Sequence, residues 1–163
     1  MRNKTLPCIL VLSALLSVPA LHAQEGGLDI RAGRTFSIDG QRAVPEGPAT
    51  VSVDYYKGFG AVGVSADIPV HGAGALGLQA RAGVRVGGRL ATLYPFVSLR
   101  YSWLDGPSGT GAGYGASASL RILGPLAAYA CLSATHDLHR CGDRLQVDTK
   151  GRATLSLGIQ LSI

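Results

Sequence analysis

The sequence predicts an all-β fold, a closed up-and-down antiparallel β-barrel of eight strands that crosses a membrane. Three observations predict it: an export segment at the start, a scarcity of charge after it, and eight stretches of alternating apolar and polar residues.

The export segment comes first. Arg2 and Lys4 provide a positive start, Cys8 to Val18 is apolar except for Ser13 and Ser17, and Leu21-His22-Ala23 offers a small-residue cleavage site. The apolar run is shorter than the roughly 20 residues that a membrane-spanning helix needs. Residues 1–23 are therefore expected to be a cleaved signal peptide, and residues 24–163 one domain. Cys8 stands at the start of the apolar run and not just after it, which argues against a lipoprotein anchor.

Charge is scarce in the rest of the chain. Charged residues make up 15% of the whole sequence, against about 25% for ordinary soluble domains. After residue 23 the only lysines are Lys57 and Lys150 and the only glutamates Glu25 and Glu46. Soluble surfaces are built largely from these two residue types, and too few are present here to coat one. No second apolar run reaches helix length, which leaves a closed barrel as the structure able to satisfy its backbone hydrogen bonds in lipid. The pI near 9.4 does not indicate a nucleic-acid partner, because the arginines are scattered and form no basic cluster.

The strands are located by parity. Leu28 to Ile38 opens the series, with Arg34 out of place on the apolar side. Val51, Val53 and Tyr55 alternate with Ser52, Asp54 and Tyr56, and Val62 to Val70 repeats the pattern. Ala75 to Val86 is the cleanest, with Leu76, Leu78, Ala80, Ala82 and Val84 opposite Gly77, Gln79, Arg81, Gly83 and Arg85. Val97 to Trp103, Tyr114 to Ile122, Ala128 to Thr135 and Ala153 to Ile163 complete the eight. Most reach the 9–11 residues or so of a tilted transmembrane strand.

Alternation alone leaves open which face is inside. The polar face is mostly Gly, Ser and Thr with a few Arg and Asp, suited to a crowded lumen. The apolar face carries Tyr55, Tyr101, Trp103 and Tyr114 near segment ends, as an interfacial girdle would. The apolar side is therefore expected to meet lipid, against the alternative of a secreted soluble ligand-binding barrel. Long connections tend to follow odd-numbered strands and short turns even ones. The longest, about His136 to Lys150, is expected to be an external loop. Pro95 conflicts with a closed ladder. It is accommodated by starting the fifth strand near Tyr94, with a longer turn after Val86, or by a bulge.

In length, strand count and loop rhythm, residues 24–163 resemble the small eight-stranded outer-membrane barrels, the OmpA-type transmembrane and opacity-protein-like group. The resemblance implies a Gram-negative outer membrane, surrounding lipid, and periplasmic chaperones and the barrel-assembly machinery as biogenesis partners. The alternating C-terminal strand is similar to the signal that this machinery reads, although such barrels usually end in Phe or Trp and this chain ends in Ile163.

Few residues suggest chemistry. Cys131 and Cys141 form an even pair in an oxidising compartment and are expected to be bridged. Ser133, His136, Asp137 and His139 invite comparison with small lipid A deacylase barrels. The His-x-Ser arrangement is missing, since Asp137 and Leu138 follow His136, and a strand places Ser133 and His136 on opposite faces. His136, His139, Cys141 and Asp143 match no standard zinc spacing. These are read as solvated loop residues, with no catalytic, metal or cofactor site. Asp29, Arg31, Asp54, Asp67, Arg81, Arg85, Arg100 and Arg121 fall on the polar face. They are expected to form a lumen charge network, its Arg excess met by Tyr56, Tyr129, Gln79, Gln160 or backbone carbonyls. A plugged lumen is favoured over a narrow, porin-like anion passage, because eight strands leave room for little beyond side chains. The function expected is non-enzymatic, structural or adhesin-like through external loops. A lipid-modifying enzyme is the alternative.

Overall fold

A computed structural model describes residues 26–39, 42–44, 47–70, 76–88, 90–103, 109–141, 144–147 and 151–163. The expected signal peptide, residues 1–23, lies outside them, as do parts of five of the connections.

Eight strands build the wall: β1 (Gly27–Asp39), β2 (Ala49–Lys57), β3 (Gly60–Ile68), β4 (Leu76–Val84, continued by Val86–Gly87), β5 (Ala91–Trp103), β6 (Gly109–Leu123), β7 (Leu126–Cys141) and β8 (Arg152–Ser162). Each pairs antiparallel with the next, and β8 closes on β1 from Asp29↔Ser162 to Ile38↔Ala153. Closure leaves the wall without an unpaired edge. Leu28 and Ile163 exchange backbone hydrogen bonds of 2.9 and 2.8 Å where the start of β1 meets the end of β8.

The register fixes the tilt. One row of paired residues runs from Leu28 through Tyr55, Val62, Ala82, Val97, Tyr114, Ala134 and Ala153 and returns to β1 at Ile38. That is ten positions beyond its start. An eight-stranded wall with this stagger is strongly tilted and narrow, so its interior is filled by side chains. The row itself contains no charged residue.

The start of β1, the end of β8, and the connections at Gly58, after Gly87 and at Gly124 share one end of the barrel, here the short-turn end. Gly58 and Gly124 adopt φ of 59° and 54°, a left-handed conformation that glycine takes without a side-chain penalty. The long connections all open at the opposite, long-loop end. Two of them carry strand: Arg42–Val44 folds back on β1, and Arg144–Val147 pairs with the end of β7.

Two expectations are corrected here. His136 to Cys141 is not the start of a loop but the upper part of β7, held by pairing to β6 as far as Leu138 and to Arg144–Val147 beyond. Pro95 sits inside β5, which starts at Ala91, and neither a longer turn nor a bulge absorbs it. The pairs Gly83↔Phe96 and Val86↔Leu93 share one register, and the ladder merely lapses between them, opposite Pro95. Pro95 faces outward, and the Arg85 amide turns to the other neighbour, donating to the Phe59 carbonyl at 2.7 Å.

The wall is inside out relative to a soluble barrel. Val62, Val64, Leu78, Val97, Leu99, Leu120, Leu132 and Ile159 are exposed, whereas Asp29, Arg31, Ser52, Asp54, Ser65, Arg81, Ser117 and Gln160 are buried. Exposed apolar residues from every strand form a continuous band far larger than a soluble monomer carries. Tyr55 and Phe59 stand towards its short-turn end. Towards the long-loop end Tyr101 packs on Trp103 with centroids 5.6 Å apart, and Tyr114 stacks with His136 at 6.1 Å. These are the aromatic margins of a lipid-facing belt.

The lumen as candidate functional site

The polar parity of every strand delivers its side chains to one narrow interior. Asp29 and Asp54 lie directly opposite in the β1–β2 ladder, a like-charge pairing that is unfavourable alone. Arginines relieve it. Arg81 grips Asp54 with Nε on Oδ1 at 2.6 Å and Nη2 on Oδ2 at 2.5 Å. Arg31 stands between the carboxylates, 3.4 Å from Asp54 and 3.8 Å from Asp29, and Arg85 Nη1 reaches Asp29 at 2.9 Å. Asp29 and Asp54 are 1% and 2% exposed, so each charge survives burial only because it is paired and hydrogen-bonded.

Aromatic rings and amides hold the remaining positive charge. Arg31 donates to Gln160 Oε1 at 2.8 Å and to Ser117 Oγ at 3.2 Å, and its guanidinium lies 5.8 and 5.6 Å from the Tyr94 and Tyr129 rings. Arg81 lies 5.7 Å from the Phe96 ring, and Arg85 packs 3.7 Å over Tyr56. Such cation–π contacts gain strength in a dry interior.

Glycine makes this filling possible. A Cβ at Gly63 would overlap the Asp54 carboxylate, one at Gly33 would meet the Tyr129 hydroxyl, and one at Gly115 the Phe96 ring. Asp54 and Phe96 each lie over the bare glycine paired with them on the next strand, and Tyr129 over a glycine two strands away. The packed middle layer of Asp29, Arg31, Asp54, Arg81, Tyr94 and Tyr129 separates two small cavities. About 30 Å³ remains on the long-loop side and about 70 Å³ on the short-turn side.

Hydroxyls and one ion pair line the long-loop cavity. Thr50 Oγ1 donates to Asp67 Oδ1 at 2.8 Å and lies 2.6 Å from Thr35 Oγ1, which lies 2.7 Å from Ser156 Oγ. Each hydroxyl has one proton, so donation runs Ser156 to Thr35 to Thr50 to Asp67. Arg100 pairs with Asp67 at 3.1 Å.

Of the eight lumen charges expected from sequence, seven join this network. Arg121 does not. It keeps the inward parity of Ser117 and Ser119, paired with buried Ala127, but it stands at the short-turn mouth, exposed, without a carboxylate partner among the described residues. Sequence reasoning missed Tyr94 and Phe96, although their parity with Ser98 and Arg100 placed them inward.

The expected Cys131–Cys141 bridge is ruled out by the same geometry. Both cysteines lie on the unbroken β7, ten residues apart, which is about 33 Å of extended chain. A disulfide needs Cα atoms within about 7 Å, and Cys131 is a buried free thiol. Ser133 points inward to Thr154 Oγ1 at 2.8 Å, while His136 lies on the outer face against Tyr114. Asp137 pairs with Arg152 at 3.5 Å on the long-loop rim. No hydroxyl–imidazole–carboxylate set is brought together among these side chains. The side chains of His139 and Cys141 lie outside the described residues, as does Asp143.

No protein-family model matches the chain, and no curated protein sequence does. Solved structures do match. The N-terminal β-barrel domain of OprF from Pseudomonas aeruginosa is 15% identical with a TM-score of 0.62, the match covering 85% of this chain and 98% of that one. A major outer membrane protein from Thermus thermophilus is 12% identical, with a TM-score of 0.58 over 86% and 100% of the two chains. The attachment invasion locus protein of Yersinia pestis is 14% identical, with a TM-score of 0.50 over 86% and 100%. At such identities the likeness is one of fold: a closed, eight-stranded transmembrane β-barrel.

Proposed function

We propose that the chain is a non-enzymatic barrel of a Gram-negative outer membrane, exported with residues 1–23 removed, whose long-loop end faces the exterior in a structural or adhesin-like role. One observation carries this: the outer wall is apolar all round while the lumen is packed across its middle. A filled lumen suits anchoring better than transport, and leaves the long-loop end as the place for recognition. The fold likeness to an attachment invasion locus protein supports looking for attachment there, by analogy of fold alone. Periplasmic chaperones and the barrel-assembly machinery are the biogenesis partners proposed with it, the latter reading β8.

The test is a short epitope inserted at 104–108, combined with cell fractionation. The protein is expected in the detergent-extracted outer-membrane fraction, with the epitope labelled by antibody on intact cells. Shortening 104–108 and 142–150 should then abolish attachment to host-cell surface material without reducing membrane insertion. Release from periplasm without detergent, or an epitope reached only after lysis, would contradict the location. Unchanged attachment after shortening would contradict the role.

A further inference from the structure

Charge is unevenly divided along the lumen. The long-loop half is balanced, Asp67 against Arg100. The middle and short-turn half holds Arg31, Arg81 and Arg85 against Asp29 and Asp54, and Arg121 adds a further cation at the mouth. Among the described residues this half therefore carries four guanidinium groups against two carboxylates. The surrounding wall is apolar on its outside, so the field of the excess is poorly screened by solvent and directed to the open mouth.

The same half holds the larger cavity, about 70 Å³, lined by Arg85, Arg121, Thr92, Ser119, Gln160 and Tyr56 among others. Its donors are incompletely used. Arg85 is 8% exposed, yet its Nε has no hydrogen-bond partner, and its 2.9 Å ionic contact through Nη1 to Asp29 lies outside hydrogen-bond geometry. Thr92 Oγ1 and Ser119 Oγ lie 2.5 Å apart. One proton bridges them and the other stays available to donate. Arg121 follows Ser119 by two residues on the same inward parity and lines the mouth of the cavity beside them.

We propose that this cavity is a binding site for a small oxyanion of the phosphate class, held by Arg121 and Arg85 with the Thr92–Ser119 hydroxyl pair. A phosphate group offers several acceptor oxygens to guanidinium and hydroxyl donors and offsets the local charge excess. The packed middle layer stops it from passing further, so the site is a terminus and not a stage in a pore. The phosphate is either the free ion or the headgroup of a phospholipid at the short-turn rim.

Titration calorimetry with inorganic phosphate, on folded barrel in phosphatidylcholine nanodiscs, tests the site and its source together. Saturable one-to-one binding is expected if the free ion is the ligand, about tenfold weaker in Arg121→Gln and unchanged in Arg152→Gln at the opposite mouth. If a headgroup is the ligand, nanodiscs containing phosphatidylglycerol should shift the 15N resonance of the Arg121 Nε in phosphate-free buffer and abolish the phosphate heat. Arg121 is exposed at the mouth, so its replacement leaves the wall intact. The proposal is overturned if neither phosphate nor phosphatidylglycerol gives a saturable response, or if Arg121→Gln responds like the parent.

Discussion

Asp54 and Arg81 stand in one row of the ladder, two strands apart, and clasp each other over the bare Cα of Gly63. The bidentate contact needs both the parity that points the two side chains inward and the absence of a side chain between them. Gly63→Val is expected to force the pair apart at a cost of about 1–3 kcal/mol, as overpacking does elsewhere. Asp54→Asn should cost more, about 3–5 kcal/mol, because it leaves Arg81 and Arg31 short of a buried partner. Urea unfolding from lipid vesicles, followed by the fluorescence of Trp103, the only tryptophan, measures both. Parent-like stability in Asp54→Asn would show that the charge network is not structural.

Cys131 is expected to remain a free, protected thiol. It lies in the lumen beside the hydroxyl cavity and is 7% exposed. Maleimide should fail to modify it in the folded barrel and should react fully after boiling in SDS. Non-reducing peptide mapping should recover no Cys131–Cys141 linked pair, and recovery of that pair would contradict the continuous β7.

Much of the fold was legible because a barrel wall obeys one rule per strand. Period-2 alternation located all eight strands and assigned their faces, and the seven lumen charges came from parity alone. What parity does not encode is where pairing stops. The segment from His136 to Cys141 is polar enough to read as loop, and only its partners in β6 and Arg144–Val147 keep it extended. The disulfide expectation failed for that reason. Arg121 failed differently: its parity is inward, but it stands at the short-turn mouth beyond the buried layer, and parity does not encode a residue's level along the barrel. Pro95 was expected to delay the start of β5 to near Tyr94 or to sit in a bulge, yet β5 runs through it from Ala91 and the ladder on its β4 side simply skips it.

The outer face should reject charge. Ala82 lies in the uncharged outer row between Val62 and Val97. Ala82→Arg is expected to destabilise the barrel by about 2–4 kcal/mol in a bilayer if its level is near the midplane. Folding titrations into vesicles check this. A neutral outcome would mean that the position meets water.

Closure should be visible on a gel. With β8 paired to β1 along ten residue pairs, no strand end offers an edge from which SDS can begin to unravel the ladder. Unboiled and boiled samples are therefore expected to migrate differently, converging only above the unfolding temperature. Identical migration at all temperatures would contradict a closed wall.

The most direct measurement of the inside-out wall is a cysteine scan along β4 in a background where Cys131 and Cys141 are replaced by serine. Positions 78, 80, 82 and 84 are exposed on the outer face, and 79, 81 and 83 point inward. In reconstituted bilayers, single cysteines at the four even positions should react with lipid-soluble probes and resist aqueous ones. The three odd positions should resist the lipid-soluble probes. If the odd positions label readily from water along the whole strand while the even ones stay protected from every probe, the chain is a soluble barrel and not a membrane-spanning one.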